Sequence, residues 1–248
     1  LKVIDISADF RLNSTEKYKA YYNVDHPDPE LLKTAVYGAP ERKRQQILEA
    51  SIIACPGCYP TSITLAACPI LKDGLAETEG IIASSMSGVS GAGRTVAEPF
   101  IFPECNESVR PYAVTGHRHL PEIEQELAEA AGVDEIKMNF IPHLIPVNRG
   151  IHSTIILKAK EGVTVEAVQQ SLEKAYADEP FVRVLPQGKL ADTKHVTLTN
   201  FCEVACTLDA HTGNIILSSA IDNLTKGASG QAVQCFNLIS GLPETTAL

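Results

Sequence analysis

No apolar stretch in this chain approaches the roughly 20 residues a membrane-spanning helix requires, which excludes a helical membrane anchor within it. There is no run of basic residues either. With 21 Lys and Arg against 30 Asp and Glu, the net charge is −9, which excludes an electrostatic partnership with nucleic acid or an anionic membrane. The glycine fingerprint G-x-G-x-x-G is absent, as are internal repeats, low-complexity tracts and any His/Cys cluster at metal-ligand spacing. Seven cysteines, an odd number without the spacing of a small disulfide scaffold, fit free thiols in a reducing compartment. The chain opens on Leu1 within an apolar, strand-like run, and is read as lacking an N-terminal segment that would precede it.

What remains is a globular chain of 248 residues, 44% hydrophobic and 21% charged, long enough for two lobes. Its most informative residue is Cys58. Ser51-Ile52-Ile53-Ala54 reads as a buried strand, Cys55-Pro56-Gly57 as a turn, and the stretch after Cys58 as a helix. A sulfur at the positive end of a helix dipole is expected to have a lowered pKa and to act as a nucleophile. The alternative for any single cysteine is a buried structural role. The pair Cys55-x-x-Cys58 also invites redox or zinc readings, but no second cluster accompanies it.

A cysteine nucleophile needs a proton partner, and Gly116-His117-Arg118-His119 supplies two histidines with a guanidinium between them, the alternatives being a metal pair or two satisfied surface histidines. The loop Gly88-Val89-Ser90-Gly91-Ala92-Gly93-Arg94 follows a strand and reads equally as a simple turn or as a backbone whose N–H groups approach an anion. The polar segment from Asp222 to Ala232 places Asn223 where a helix begins, and suggests contact with a ligand.

Along the chain, residues 13–40 read as polar loop with a short helix, and residues 41–50 as a helix leading into the 51–54 strand. That alternation predicts a parallel sheet. Beyond residue 80 the pattern is strands at 81–85, 137–141, 152–159, 181–185, 201–208 and 215–220. Helices are expected at 121–131, entered through Pro121 and stopped by Gly132, and from Val165, capped by Thr164. The fold class is therefore α/β plus α+β, with a mainly antiparallel second sheet. Residues 227–240 predict a closing helix with Ala232, Phe236 and Ile239 on one face.

Seven segments, in order, resemble the N-acetyl-gamma-glutamyl-phosphate reductase family of the glyceraldehyde-3-phosphate dehydrogenase-like and aspartate-semialdehyde dehydrogenase-like group. They are Ser7-Ala8-Asp9-Phe10-Arg11-Leu12, Tyr37-Gly38-Ala39-Pro40-Glu41, Pro56-Gly57-Cys58-Tyr59-Pro60-Thr61 and Ser87 to Arg94. The others are His117-Arg118-His119-Leu120-Pro121-Glu122-Ile123, Pro142-His143-Leu144-Ile145-Pro146 with Arg149-Gly150-Ile151, and Asp222 to Ala228. The family usually has Asn where this chain has Cys55, which admits a reversible Cys55–Cys58 disulfide.

The resemblance implies the C-terminal part of a Rossmann-type NADP-binding domain (residues 1–75) and a catalytic and oligomerisation domain with a mainly antiparallel sheet (76–221). A helix returning to the nucleotide side would follow (222–248). It implies NADP(H)-dependent reduction of an acyl phosphate, with Cys58 and His117 catalytic. His119, Arg118, Arg94 and Arg149 would meet the substrate, while Ser87, Gly88, Gly91, Gly93 and Asn223 would meet the cofactor. No metal is implied. A cytoplasmic homodimer or homotetramer is expected, and a segment lacking the glycine-rich βαβ start is expected to bind NADPH poorly by itself. Aspartate-semialdehyde dehydrogenase, a reductase of carrier-protein-linked aminoadipyl phosphate, and a non-catalytic scaffold are the competing readings.

Overall fold

The computed structural model describes residues 1–94 and 96–248. Two sheets organise it. The smaller is parallel and three-stranded, in the order β1 (Val3–Asp5), β3 (Ile52–Ala54), β2 (Ala35–Tyr37). The larger has seven strands in the order β5 (Arg110–Pro111), β6 (Met138–Leu144), β4 (Ile81–Ser87), β7 (Ile151–Lys158), β10 (Asn214–Ile221), β9 (Cys202–Asp209), β8 (Val182–Val184). Only the β4–β6 and β8–β9 pairs are parallel, so the mainly antiparallel expectation holds.

The segment 13–40 carries more structure than its polar composition suggested. It holds α1 (Thr15–Tyr22), capped by Ser14, which accepts from the Lys17 N–H, and α2 (Pro29–Leu32), capped by Asp28. Strand β2 follows, then α3 (Pro40–Glu49), which leads into β3.

Helix α4 (Cys58–Lys72) joins the two sheets, and every residue from Tyr59 to Leu71 is buried. An all-round apolar helix is stable only when covered on all sides. Here the large sheet covers one side, while α6 (Leu120–Ala131) and α7 (Val165–Tyr176) pack alongside. Ile63, Ile70, Ile123, Leu127, Phe140, Ile155 and Leu172 meet in this core. Truncating one of them, for instance Ile63→Ala, costs about 2–5 kcal/mol. Polar groups within the core pair with one another: Ser62 Oγ lies 2.9 Å from Ser153 Oγ and 3.2 Å from Ser219 Oγ. The capping logic for α6 and α7 holds, with Gly132 left-handed at φ 67° and Thr164 accepting from the Ala167 N–H.

The closing helix departs from expectation. Residues Thr225–Ser229 form a π-turn, and α8 (Gly230–Ile239) begins only after it. Of the expected face, Ala232 and Ile239 pack against the Ile47, Ile53 and Cys235 cluster, but Phe236 is 52% exposed, and the most buried positions carry Gln231, Gln234, Cys235 and Asn237. Polar partners explain this: Gln231 donates to the Gly38 carbonyl, and Asn237 to the carbonyls of Glu244 and Thr246. Helix α8 packs on α3 and β1.

Candidate active site

Cys58 is the first residue of α4, directly after β3 and the turn 55–57. Gly57, the N-cap, has no side chain to occupy the free N–H groups, so those of Cys58 and Tyr59 face the thiol and draw its pKa down, with help from Arg11. Burial outweighs them and pushes the thiol up to about 11. The expected lowering of the thiol pKa is present as helix-end polarisation, but desolvation outweighs it in the free protein.

The turn before Cys58 is gripped from two directions. Arg11 Nε donates to the Cys55 carbonyl at 2.7 Å, and its NH2 group to Ile6 O at 3.1 Å. Glu122 Oε1 accepts from the Gly57 N–H and from the Tyr37 hydroxyl, both at 2.8 Å. Glu122 is 1% exposed; burial raises its pKa, against the opposing pull of Arg11, whose NH1 group lies 3.7 Å from Oε2. Neither Arg11 nor Glu122 was singled out as a site residue from sequence, although both fall within the resembling segments.

The two histidines occupy different places. His117 sits among aromatic rings, with centroids 5.5 Å from Tyr59, 5.6 Å from Tyr112 and 5.2 Å from Phe140. Its Nδ1 accepts from the His119 backbone N–H at 3.0 Å, which leaves the proton of the neutral ring on Nε2. His119 lies against the peptide preceding the thiol: a Cβ built on Gly57 would fall 2.4 Å from His119 Nε2. Its Nδ1 is buried without a partner. Burial and the Arg118 charge hold His117 down to about 4, while burial, His117 and Arg11 hold His119 well below its ordinary value. Both rings are therefore neutral at pH 7, the state able to accept a proton.

The small-residue loop is closed to anions along most of its backbone. The N–H groups of Gly88, Val89, Ser90, Gly91 and Gly93 donate to carbonyls of Gly150, Val147, Asn148, Gly88 and Ser90. Of the two readings, anion approach and simple turn, these bonds are those of a turn. What the loop offers is a surface with little side-chain bulk, exposed at Gly91 and Gly93. Gly88 needs its bare Cα, since a Cβ would meet the Asn148 carbonyl at 2.6 Å. Asn223, 2% exposed, ties the loop down by accepting from the Gly150 N–H at 2.7 Å and donating to Ser90 Oγ at 3.0 Å. Ser87 Oγ donates to the Gly88 carbonyl and approaches the Tyr59 hydroxyl, which links the loop to α4.

The arginines separate in the same way. Arg149 is paired with buried Asp222 at 2.9 Å, one residue from Asn223. Arg118 is exposed, with its guanidinium 5.4 Å from the Tyr22 ring centroid. Arg94 is exposed beside a hollow of about 200 Å³ lined by Val89, Ala92 and Phe100. All seven cysteines are free, and Cys55 packs with Cys235 in a core separate from that of Cys58. Among the described residues no group of three His, Cys, Asp or Glu side chains is placed to hold a metal.

Residues 58–223 match the family described as semialdehyde dehydrogenase, dimerisation domain. In overall fold the chain is similar to aspartate semialdehyde dehydrogenase II from Vibrio cholerae (TM-score 0.67, 19% identity, 84% of this chain and 69% of that one). It is similar also to the Candida albicans aspartate semialdehyde dehydrogenase solved with NADP (TM-score 0.63, 16% identity, 97% of this chain and 71% of that one). In sequence it is 53% identical to the N-acetyl-gamma-glutamyl-phosphate reductase of Akkermansia muciniphila, over all of this chain and 71% of that protein. Identity to the reductase of the same name from Moorella thermoacetica is 48%, over the same shares. With relatives at this identity over its whole length, the chain belongs to the N-acetyl-gamma-glutamyl-phosphate reductase family.

Proposed function

We propose that this chain reduces N-acetyl-L-glutamyl 5-phosphate to N-acetyl-L-glutamate 5-semialdehyde and phosphate through a Cys58 thioester, as a step of arginine biosynthesis. The observation that carries the reading is the His119 ring lying against Gly57, immediately before a cysteine at an uncapped helix N-terminus. Cys58 attacks the acyl carbonyl and expels phosphate. Neutral His119 takes the thiol proton, which offsets the high thiol pKa by transferring the proton as the C–S bond forms. The N–H groups of Cys58 and Tyr59 then face the charge that develops at the carbonyl oxygen.

NADPH supplies the hydride when bound. The exposed, small-residue surface around Gly91 and Gly93, held by Asn223, Ser87 and Gly88, suits a flat nicotinamide ring; a grip on the cofactor's phosphates must lie elsewhere, because the loop N–H groups are spent. After reduction, the oxyanion re-forms the carbonyl as the C–S bond breaks, and protonated His119 returns its proton to the departing Cys58 sulfur, which releases the aldehyde and restores the thiol. His119 thereby replaces His117 as the proton carrier in our reading. His117 serves as its neighbour, holding the His119 backbone through Nδ1. Arg118, Arg94 and Arg149 remain candidates for substrate anions, with Arg149 partly committed to Asp222.

The aspartate and aminoadipyl alternatives lack comparable support, since the aspartate enzymes are similar at the level of fold while the glutamyl-phosphate relatives share about half the sequence. We read residues 1–75 with 222–248 as the nucleotide-side lobe and 76–221 as the catalytic lobe; the packing of α8 on α3 and β1 supports this. A second copy is the natural cover for the sheet face away from α4, where Ile82, Ile141, Ile156 and Ile216 are only partly covered and Met86 is 42% exposed. Seven free thiols suit the reducing cytoplasm. The test is NADPH formation from the semialdehyde and NADP, with and without phosphate. Phosphate-dependent turnover supports the reading; turnover indifferent to phosphate contradicts it.

A further inference from the structure

The π-turn Thr225–Ser229 touches the nucleophile directly. A Cβ on Gly227 would lie 2.8 Å from Cys58 Cβ and 3.2 Å from Cys58 Cα, so only a bare backbone fits there. The turn carries three hydrogen bonds that reach five residues back: the Gly227 N–H to Asp222 O at 3.1 Å, the Ser229 N–H to Leu224 O at 3.2 Å, and the Gly230 N–H to Thr225 O. Such turns are rare and persist only where their surroundings hold them.

Its surroundings do so through a charge. Lys226 is 0% exposed, and its Nζ donates to the Glu41 carboxylate and, at 2.7 Å, to Gln234 Oε1. Glu41 is equally buried, in the first turn of α3 and 185 residues away in sequence. Gln234 Nε2 donates to the same Glu41 oxygen at 3.2 Å, while the second Glu41 oxygen has no partner. Thr225 fastens the other side of the turn by donating to the Thr199 carbonyl. Stability alone does not call for such a pair, because well-packed apolar residues of similar volume usually serve as well. An ion pair specifies one geometry, and the geometry here ends on Cys58.

We propose that the buried Lys226–Glu41 pair, acting through the π-turn it fastens, seats Gly227 against Cys58, which makes Glu41 and Lys226 positioning residues for the thiol. This rests on Cys58 being the nucleophile. The pair fixes the turn, the turn walls one side of the Cys58 side chain, and the sulfur is held where His119 and the helix N–H groups serve it. Loosening the pair frees the thiol and disorganises the site at once.

The experiment compares Glu41→Gln, Lys226→Met and Gly227→Ala in two readouts. One is iodoacetamide alkylation of the Cys58 peptide at pH about 8.5, followed by mass spectrometry with buried Cys202 and Cys206 as internal controls. The other is steady-state turnover. Glu41→Gln and Lys226→Met are expected to alkylate Cys58 at least about fivefold faster with Cys202 and Cys206 still protected, while kcat falls about tenfold or more and KM changes less than about threefold. Gly227→Ala, which crowds the thiol, is expected to slow both alkylation and turnover. Should a single variant not fold, Glu41→Leu with Lys226→Met leaves no lone charge and carries the same readouts. Cys58 alkylation and kcat within about twofold of wild type in the folded pair variants would overturn the proposal. Cys58→Ser retaining full turnover would instead overturn the nucleophile reading, and leaves the alkylation comparison intact.

Discussion

The ring of His119 occupies the space that a side chain on Gly57 would need, with Nε2 2.4 Å from where that Cβ would stand. Three residues after His119, Glu122 accepts the Gly57 N–H at 2.8 Å. One segment thus holds one peptide by its face and by its hydrogen, and the next residue is Cys58.

Gly57→Ala therefore forces the His119 ring away. Turnover is expected to fall about a hundredfold or more, since small displacements at a reacting group are costly. The overpacking costs about 1–3 kcal/mol of stability. Steady-state kinetics beside urea denaturation separates the two; a well-folded variant with near-normal kcat would refute the contact's importance.

The histidines should divide by role. His119→Asn is expected to lower kcat by about 10²–10⁴ with little change in fold. His117→Asn opens the aromatic surround of Tyr59, Tyr112 and Phe140, and should lower stability first and kcat less. Equal kcat losses at equal stability would contradict the division.

Stability should depend on pH through these same rings. His117 is held down to about 4, against an ordinary value of 6.5. Between those values the unfolded chain binds a proton that the folded chain refuses. This contribution to stability is fully present above about 6.5 and is lost as pH falls toward 4, up to about 3 kcal/mol. His119, lowered further, acts in the same direction. Urea midpoints measured from pH 4 to 7 should climb, and the climb should be shallower in His117→Gln. A flat profile in the wild type would refute the burial argument.

Cys58 in the free protein should alkylate slowly at pH 7 and accelerate toward pH 11, because burial outweighs the helix N–H groups. A rate already saturated at pH 7 would mean the helix terminus dominates after all.

Much of the site was legible because its determinants are local. The run Ser51–Ala54, the turn at Pro56-Gly57 and the apolar stretch after Cys58 identify strand, turn and helix from neighbours alone. Pro121, Gly132 and Thr164 mark helix ends for the same reason. Arg11, Glu122, Glu41 and Lys226 gave no such signal. All four stand inside segments that carry the family resemblance, but only the fold brings them against partners 44 to 185 residues distant. The spacing of Glu122 three residues after His119, at the start of a Pro-led helix, was the one local clue. Strand β2 escaped notice because three residues, Ala35–Tyr37, lie at the end of a polar stretch too short to show periodicity. Helix α8 escaped the simple apolar-face rule because it buries Gln231, Gln234 and Asn237 against carbonyls and an ion pair beside the apolar contacts of Ala232, Cys235 and Ile239.

The most direct test of the account is to look for the covalent intermediate. The protein would be mixed with N-acetyl-glutamyl 5-phosphate without NADPH, quenched in acid, and its Cys58 peptide weighed. An N-acetyl-glutamyl adduct on Cys58, removed by hydroxylamine, absent in Cys58→Ser and matched by one equivalent of released phosphate, is the expected result. Phosphate release with Cys58 unmodified, or an adduct on another residue, would contradict it.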